Sequence, residues 1–244
     1  MKRSKSNNGR AGWLPVIISA LILLLLVSII GGYRYFVPLR LKKIEQKIQL
    51  IKHFSFSNDA SLKEWEEKIF KGRVQYKIER SGELSYVRAH AKSDASALYY
   101  RIKINAKSRY PVIRWKWRAE TFPEKKSPEN LELQNEDDFA ARFYVIFPAL
   151  FFTNSKVLEY VWAKDLPVGT IGDSPYSKNI KLIVLRSGQA GQWFEEERDI
   201  YADYVKMFGR PPEYDIGAVA FMTNTEHTET DADALYDEIE LGYR

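Results

Sequence analysis

Ile113-Arg114-Trp115-Lys116-Trp117-Arg118 alternates apolar and cationic side chains without a break. Successive side chains leave a strand on opposite sides, so this period of two marks a strand with one face in a core and one in water. The same reading extends outward in both directions. Upstream, Leu98-Tyr99-Tyr100-Arg101-Ile102-Lys103-Ile104 and Val74-Gln75-Tyr76-Lys77-Ile78-Glu79 repeat the alternation. Downstream, strands are predicted over residues 139–147 (long, mostly apolar, carrying Arg142), 157–163, 180–186, 216–223 and 235–243, with Pro, Gly, Asn and Ser clusters between them. One helix interrupts the series. In residues 199–208, Ile200, Tyr204 and Phe208 recur at helical spacing, Asp199 is placed to cap the start, and Gly209 with Pro211-Pro212 stops it. A run of short strands with one prominent helix predicts a mainly β fold, a two-sheet antiparallel sandwich.

The N-terminal quarter has another character. From Leu14 to Ile30, seventeen residues pass without a charge, with Trp13 and Tyr33 at the ends. Such a run predicts a transmembrane helix, because roughly 20 apolar residues cross the hydrocarbon core. A cleaved signal peptide is the alternative reading, but no clear A-x-A site follows the span. Residues 39–52 place Leu41, Ile44, Ile48 and Ile51 at helical spacing, which predicts an amphipathic stalk or, alternatively, a short dimerising helix. The expected organisation is therefore a basic tail (1–12), a membrane anchor (13–33), a stalk (34–53) and a sandwich domain (54–244).

Charge follows the same division. The chain of 244 residues has a formal charge of +5, yet residues 1–52 hold ten Lys/Arg against the single acid Glu45. The 27 basic and 31 acidic residues that remain leave the domain at −4. The basicity belongs beside anionic headgroups, and nucleic acid is an unsuitable partner for an acidic domain without a long basic run. Cysteine is absent, which excludes disulfides, thiolate metal sites and a Cys nucleophile.

Residues 54–244 also carry a family's phrase order. Tyr110-Pro111 leads into the 115–118 phrase, followed by Asp137-Asp138-Phe139-Ala140-Ala141-Arg142-Phe143-Tyr144-Val145, Tyr160-Val161-Trp162-Ala163 and Gly169. Ser187-Gly188, Trp193, Glu197-Arg198-Asp199, Ala220-Phe221-Met222-Thr223 and Tyr236-Asp237-Glu238-Ile239 complete it. This order resembles a bacterial family catalogued as domain of unknown function 3047. The resemblance implies a jelly-roll-like sandwich similar to carbohydrate-binding modules, in an exported protein, and no reaction. Together with the apolar span, whose short head and large C-terminal domain favour the N-terminus inside, the expectation is a single-pass protein of a bacterial inner membrane with its C-terminal domain in the periplasm. The chain departs from the pattern at Thr223-Asn224-Thr225-Glu226-His227-Thr228, where Asn224 stands at an acidic position of the family.

Candidate chemistry is sparse. Trp115 and Trp117 would form a glycan-stacking platform if exposed, and core filling is the competing reading. Trp162 and Trp193 flank predicted loops and are better placed for exposure. Arg142 lies in an apolar strand near Asp137 and Asp138, which calls for an ion pair, with ligand binding as the alternative. Asp138, Glu197 and Asp199 are the nominal acids of a glycan-active enzyme, against a solvated rim at Glu195-Glu196-Glu197 with Asp199 as helix cap. Glu226, Asp237 and Glu238 supply oxygen donors of the type calcium takes. His53, His90 and His227 are scattered, and neither a phosphate-binding glycine loop nor a nucleophile elbow is present. The expectation is a membrane-anchored, non-catalytic envelope module with a carbohydrate-like ligand. The alternatives are an assembly partner of envelope proteins and a glycan-active enzyme.

Overall fold

A computed structural model of the chain describes residues 48–244. The basic tail, the membrane span and the stalk up to residue 47 lie outside the described residues. Among the described residues no helix is long and apolar enough to cross a membrane.

Thirteen strands follow in chain order: β1 (Gln49–Phe54), β2 (Glu66–Lys71), β3 (Gln75–Ser81), β4 (Leu84–Lys92), β5 (Ala95–Ile104), β6 (Pro111–Thr121) and β7 (Ala141–Phe147). After them come β8 (Lys156–Ala163), β9 (Ile171–Ser174), β10 (Ser177–Ser187), β11 (Phe194–Asp199), β12 (Ile216–Asn224) and β13 (Asp231–Tyr243). They build two sheets. The first runs β11-β6-β13-β4-β3, with β1 also paired to β13, and the second runs β2-β5-β12-β7-β8-β10-β9. The sandwich and its single helix are as the pattern predicts, with one difference: β8 and β10 pair in parallel. Parallel neighbours need a crossover of a dozen or so residues, and residues 164–176, which include β9, supply it.

The alternating phrase at 113–118 lies within β6, and its two faces divide as expected. Ile113, Trp115 and Trp117 are fully buried, while Arg114, Lys116 and Arg118 stand half-exposed on the outer face. Trp115 stacks on Phe143 across the sandwich at 4.4 Å and 9° between planes. Trp117 meets Trp162 at 5.6 Å, and its indole N–H donates to Glu196 Oε1 at 3.0 Å. Rings from facing strands thus meet in the core beside buried Val, Leu, Ile and Ala, and burial of this apolar area drives folding.

The helix α1 spans Ile200–Phe208. The Asp199 carboxylate accepts the Ala202 N–H at 3.0 Å, satisfying one of the orphan donors of the first turn. At the other end Gly209 adopts φ +70°, a left-handed conformation that glycine takes without steric cost. Tyr204 packs on Phe147 at 4.8 Å, closing one end of the core.

Two expectations change. Residues 49–52, expected in the stalk helix, belong to strand β1. β13 pairs with β4 only as far as Tyr236 and with β1 from Ile239 onward, so β1 satisfies backbone groups that β4 leaves unpaired. That long-range demand overrides a local 3.6-residue period. The two strands lie so close that a Cβ on Gly242 would stand 2.6 Å from the Gln49 carbonyl oxygen. Strand β7 also starts later than expected, at Ala141. Phe139 instead packs with Leu131, Val161, Leu182 and Val184, so the segment before β7 covers part of the second sheet's outer face.

Candidate functional site

Of the four tryptophans singled out, three are core. Trp115, Trp117 and Trp162 are 0 % exposed, and no ligand reaches a ring enclosed between two sheets. Trp193 differs. It is half-buried just before β11 and meets Tyr86 of β4 edge-on at 5.7 Å. Strands β6 and β13 separate β11 from β4 in the sheet, so the indole reaches across them. Val87 and Ala89 of β4 point into the core, which leaves Tyr86, Arg88 and His90 on the outer face.

Beside this aromatic pair the face is concave and polar. Gln75, Lys77, Glu79, Arg88 and His90 line an open groove of about 240 Å³, and Glu79 stands opposite Tyr86 in the ladder. Arg88 is fixed by Asp233, with contacts of 2.6 to 3.0 Å. A larger open groove of about 560 Å³ includes Arg101, Lys103, Lys107, Pro148 and Asp215, without a tryptophan.

Arg142 forms the expected ion pair, and it is buried. Alternation along β7 sends Phe143 inward, so Arg142 and Tyr144 leave on the other side of the second sheet. Arg142 is 3 % exposed. Its Nη2 lies 2.6 Å from Asp137 Oδ1, and Nη1 lies 3.1 Å from Glu159 Oε1. It also donates to the Asp137 carbonyl at 2.6 Å and to the Tyr144 hydroxyl at 3.2 Å. Burial opposes its charge, but the adjoining Asp137 and Glu159 carboxylates outweigh that and hold it protonated.

One cation facing two carboxylates leaves one negative charge in surplus, and Glu159 carries it. Burial raises its carboxyl from 4.5 to about 7, although Arg142 pulls the other way. A carboxyl raised in the fold contributes its stability in the protonated form, in full below pH 4.5 and lost as pH rises through 7. Glu159→Gln mimics that neutral form. The variant is expected to match the parent at pH 4 and to exceed it by about 1–3 kcal/mol at pH 8, read as the difference between two urea titrations. Equal stability at both pH values would mean that the surplus charge is not on Glu159.

The acids proposed for catalysis are each engaged by other groups, and Glu197 and Asp199 share Arg244. Asp138 is fully buried and accepts the backbone N–H groups of His227 at 3.1 Å and Thr228 at 2.7 Å, besides the Asn224 amide at 2.8 Å. Burial acts to raise its pKa, but the Thr228 donors prevail and lower it. Glu197 is held by Arg114 and Arg244, and Asp199 caps the helix. None is left with the free, paired geometry that acid/base work requires.

The expected calcium donors divide between two places. Glu226 lies with Asp138 and His227, whereas Glu238 lies with His53 and Glu240. In the first place the Asn224 amide donates to Glu226 Oε2 and to Asp138, both at 2.8 Å, as a cation would. Burial raises Glu226 from 4.5 to about 6. In the second, Asp237 is 6 % exposed and its Oδ1 has no partner. Burial and the neighbouring Glu238 raise it from 3.8 to about 7.

Sequence reasoning missed Tyr86, Glu159 and His53. For Glu159 a signal existed, an acid within the apolar run 157–163. For His53 and Tyr86 none did, because only the pairing of β1 and β4 with β13 brings them to their neighbours.

Solved structures with a similar course of chain include the CBM22-1 xylan-binding domain from Paenibacillus barcinonensis Xyn10C, 10% identical with a TM-score of 0.41, covering 80% of this chain and 95% of that one. The family 11 carbohydrate-binding module from Clostridium thermocellum is 11% identical with a TM-score of 0.39 and coverages of 78% and 95%. The endoglucanase Cel12A from Rhodothermus marinus is 10% identical with a TM-score of 0.42 and coverages of 74% and 97%. No curated protein matches the chain by sequence. The model of a family described as protein of unknown function (DUF3047) matches residues 63–240, and the chain belongs to that family.

Proposed function

We propose that this chain is a membrane-anchored, non-catalytic binding module of the bacterial cell envelope, and that a carbohydrate-like ligand lies on the outer face of the first sheet against Trp193. The observation that carries the reading is the Trp193–Tyr86 pair bordering a groove lined by Gln75, Lys77, Glu79, Arg88 and His90. Flat rings beside a few hydrogen-bonding groups offer a sugar a stacking surface and partners for its hydroxyls. Anchoring rests on the uncharged run from Leu14 to Ile30. The assembly-partner reading draws on a separate feature, Leu150 and Phe151, which are 90% and 68% exposed.

Titration of the full chain with a panel of envelope glycans tests the proposal. Trp193→Ala and Tyr86→Ala are each expected to weaken binding about ten-fold, or about 1.4 kcal/mol, with little change in Tm because Trp193 is half-exposed. A folded chain that binds no glycan ends the reading, and binding unchanged by Trp193→Ala removes the site from this face.

A further inference from the structure

Strand β13 changes its neighbour along one edge, from β4 to β1, and its ladder with β6 slips between Asp237 and Glu240. Asp237 stands opposite Lys116 and Glu240 opposite Arg114, two residues apart on β6 but three on β13. Lys116 and Arg114 face away from the core, so the extra residue of this bulge brings a third acid toward the same side. That acid is Glu238, at φ +49°, whose Oε2 reaches His53 Nε2 at 2.8 Å. His53 itself stands opposite Glu240 on β1. Donor atoms of His53, Glu238 and Glu240 all lie within 4.8 Å of one another.

A second observation is independent of that cluster. The Asp237 side chain, one residue before Glu238 on β13, is 6 % exposed with an unpartnered Oδ1. Buried carboxylate oxygens are rarely left without a partner. Two cations lie nearby, neither in close contact with the cluster. Arg114 is 2.6 Å from Glu197 but 3.7 Å from Glu240, and Lys116 is 3.9 Å from Glu195. The cluster at Asp138, Glu226 and His227 offers the same donor types, yet there backbone and amide N–H groups already occupy the oxygens.

We propose that the β13 bulge is a binding site for a divalent transition-metal cation of the zinc class, ligated by His53, Glu238 and Glu240 with the fourth position left to solvent. An imidazole among carboxylates suits zinc better than calcium, which takes six to eight oxygens. Bonds of about 2.0–2.2 Å to one ion put tetrahedral ligands roughly 3.3 Å apart, so the His53–Glu238 contact opens by about half an ångström. The site stands apart from the glycan proposal and does not depend on it.

The test is calorimetric titration of the chelator-treated full chain with zinc chloride and, separately, calcium chloride. One zinc per chain is expected, with His53→Gln and Glu238→Gln each weakening it at least about ten-fold, while Glu226→Gln leaves it unchanged. The chain has three histidines, so a ring NMR spectrum of the unaltered protein should show His53 alone shifting with zinc. No zinc binding, binding lost in Glu226→Gln but kept in His53→Gln, a preference for calcium, or a shift at His227 instead would each overturn the assignment.

Discussion

Replacing Arg142 by Met is expected to destabilise the domain by about 3–5 kcal/mol, the cost of stranding a buried charge. The guanidinium faces two carboxylates, Asp137 at 2.6 Å and Glu159 at 3.1 Å, and all three side chains are at most 6 % exposed. Without the cation, Asp137 also loses the donor that bridges its carboxylate and its own carbonyl, which orders the turn leading into β7. Lysine would not restore the arrangement, because one ammonium cannot reach both acids in the plane that the guanidinium fork spans. The measurement is the urea midpoint of Arg142→Met in two backgrounds. With Glu159→Gln already in place the loss should shrink by about 1–3 kcal/mol, since one stranded charge has been removed. Equal losses in both backgrounds would show that Glu159 is not coupled to Arg142. A loss below about 1 kcal/mol would show that the network is solvated rather than buried.

How much was legible before the structure depended on how local each signal was. The alternation at Ile113 to Arg118 specifies its own two faces, and Asp199 with Gly209 specifies both ends of α1, because strand period and helix caps involve neighbours in sequence. Arg142 with Asp137 was legible for the same reason. The reading of Glu195-Glu196-Glu197 as a solvated rim missed that these residues are strand β11, in register with Lys116, Trp115 and Arg114. Edge strands carry charges that hide the apolar half of the period. Strand β1 was hidden more deeply. Its helical spacing is real, but its conformation answers to a gap in the edge of β13 nearly two hundred residues later. Glu226, grouped by its residue type with Asp237 and Glu238, lies instead with Asp138 and His227, and the pairing that brings His53 to Glu238 is not written in any local pattern.

Trp115→Ala should cost a further about 3–5 kcal/mol, and it separates a core ring from a binding ring. Its side chain is 0 % exposed and touches three aromatic partners: Phe143 at 4.4 Å, Tyr160 at 5.3 Å and Trp117 at 5.4 Å. Removing the indole leaves a cavity between two sheets whose backbones are fixed by their ladders, so the space cannot close by collapse. Against a total stability of about 5–15 kcal/mol, the variant should melt far below the parent, and Trp115→Phe should recover part of the loss by refilling the face against Phe143. Trp193→Ala should do the opposite, keeping Tm and losing ligand. If Trp115→Ala instead keeps its Tm and loses glycan binding, the ring is a contact surface, and the packing of the sandwich drawn from its burial is wrong. If both variants unfold, Trp193 belongs to the core as well, and the aromatic pair on the first sheet has a packing role rather than a ligand.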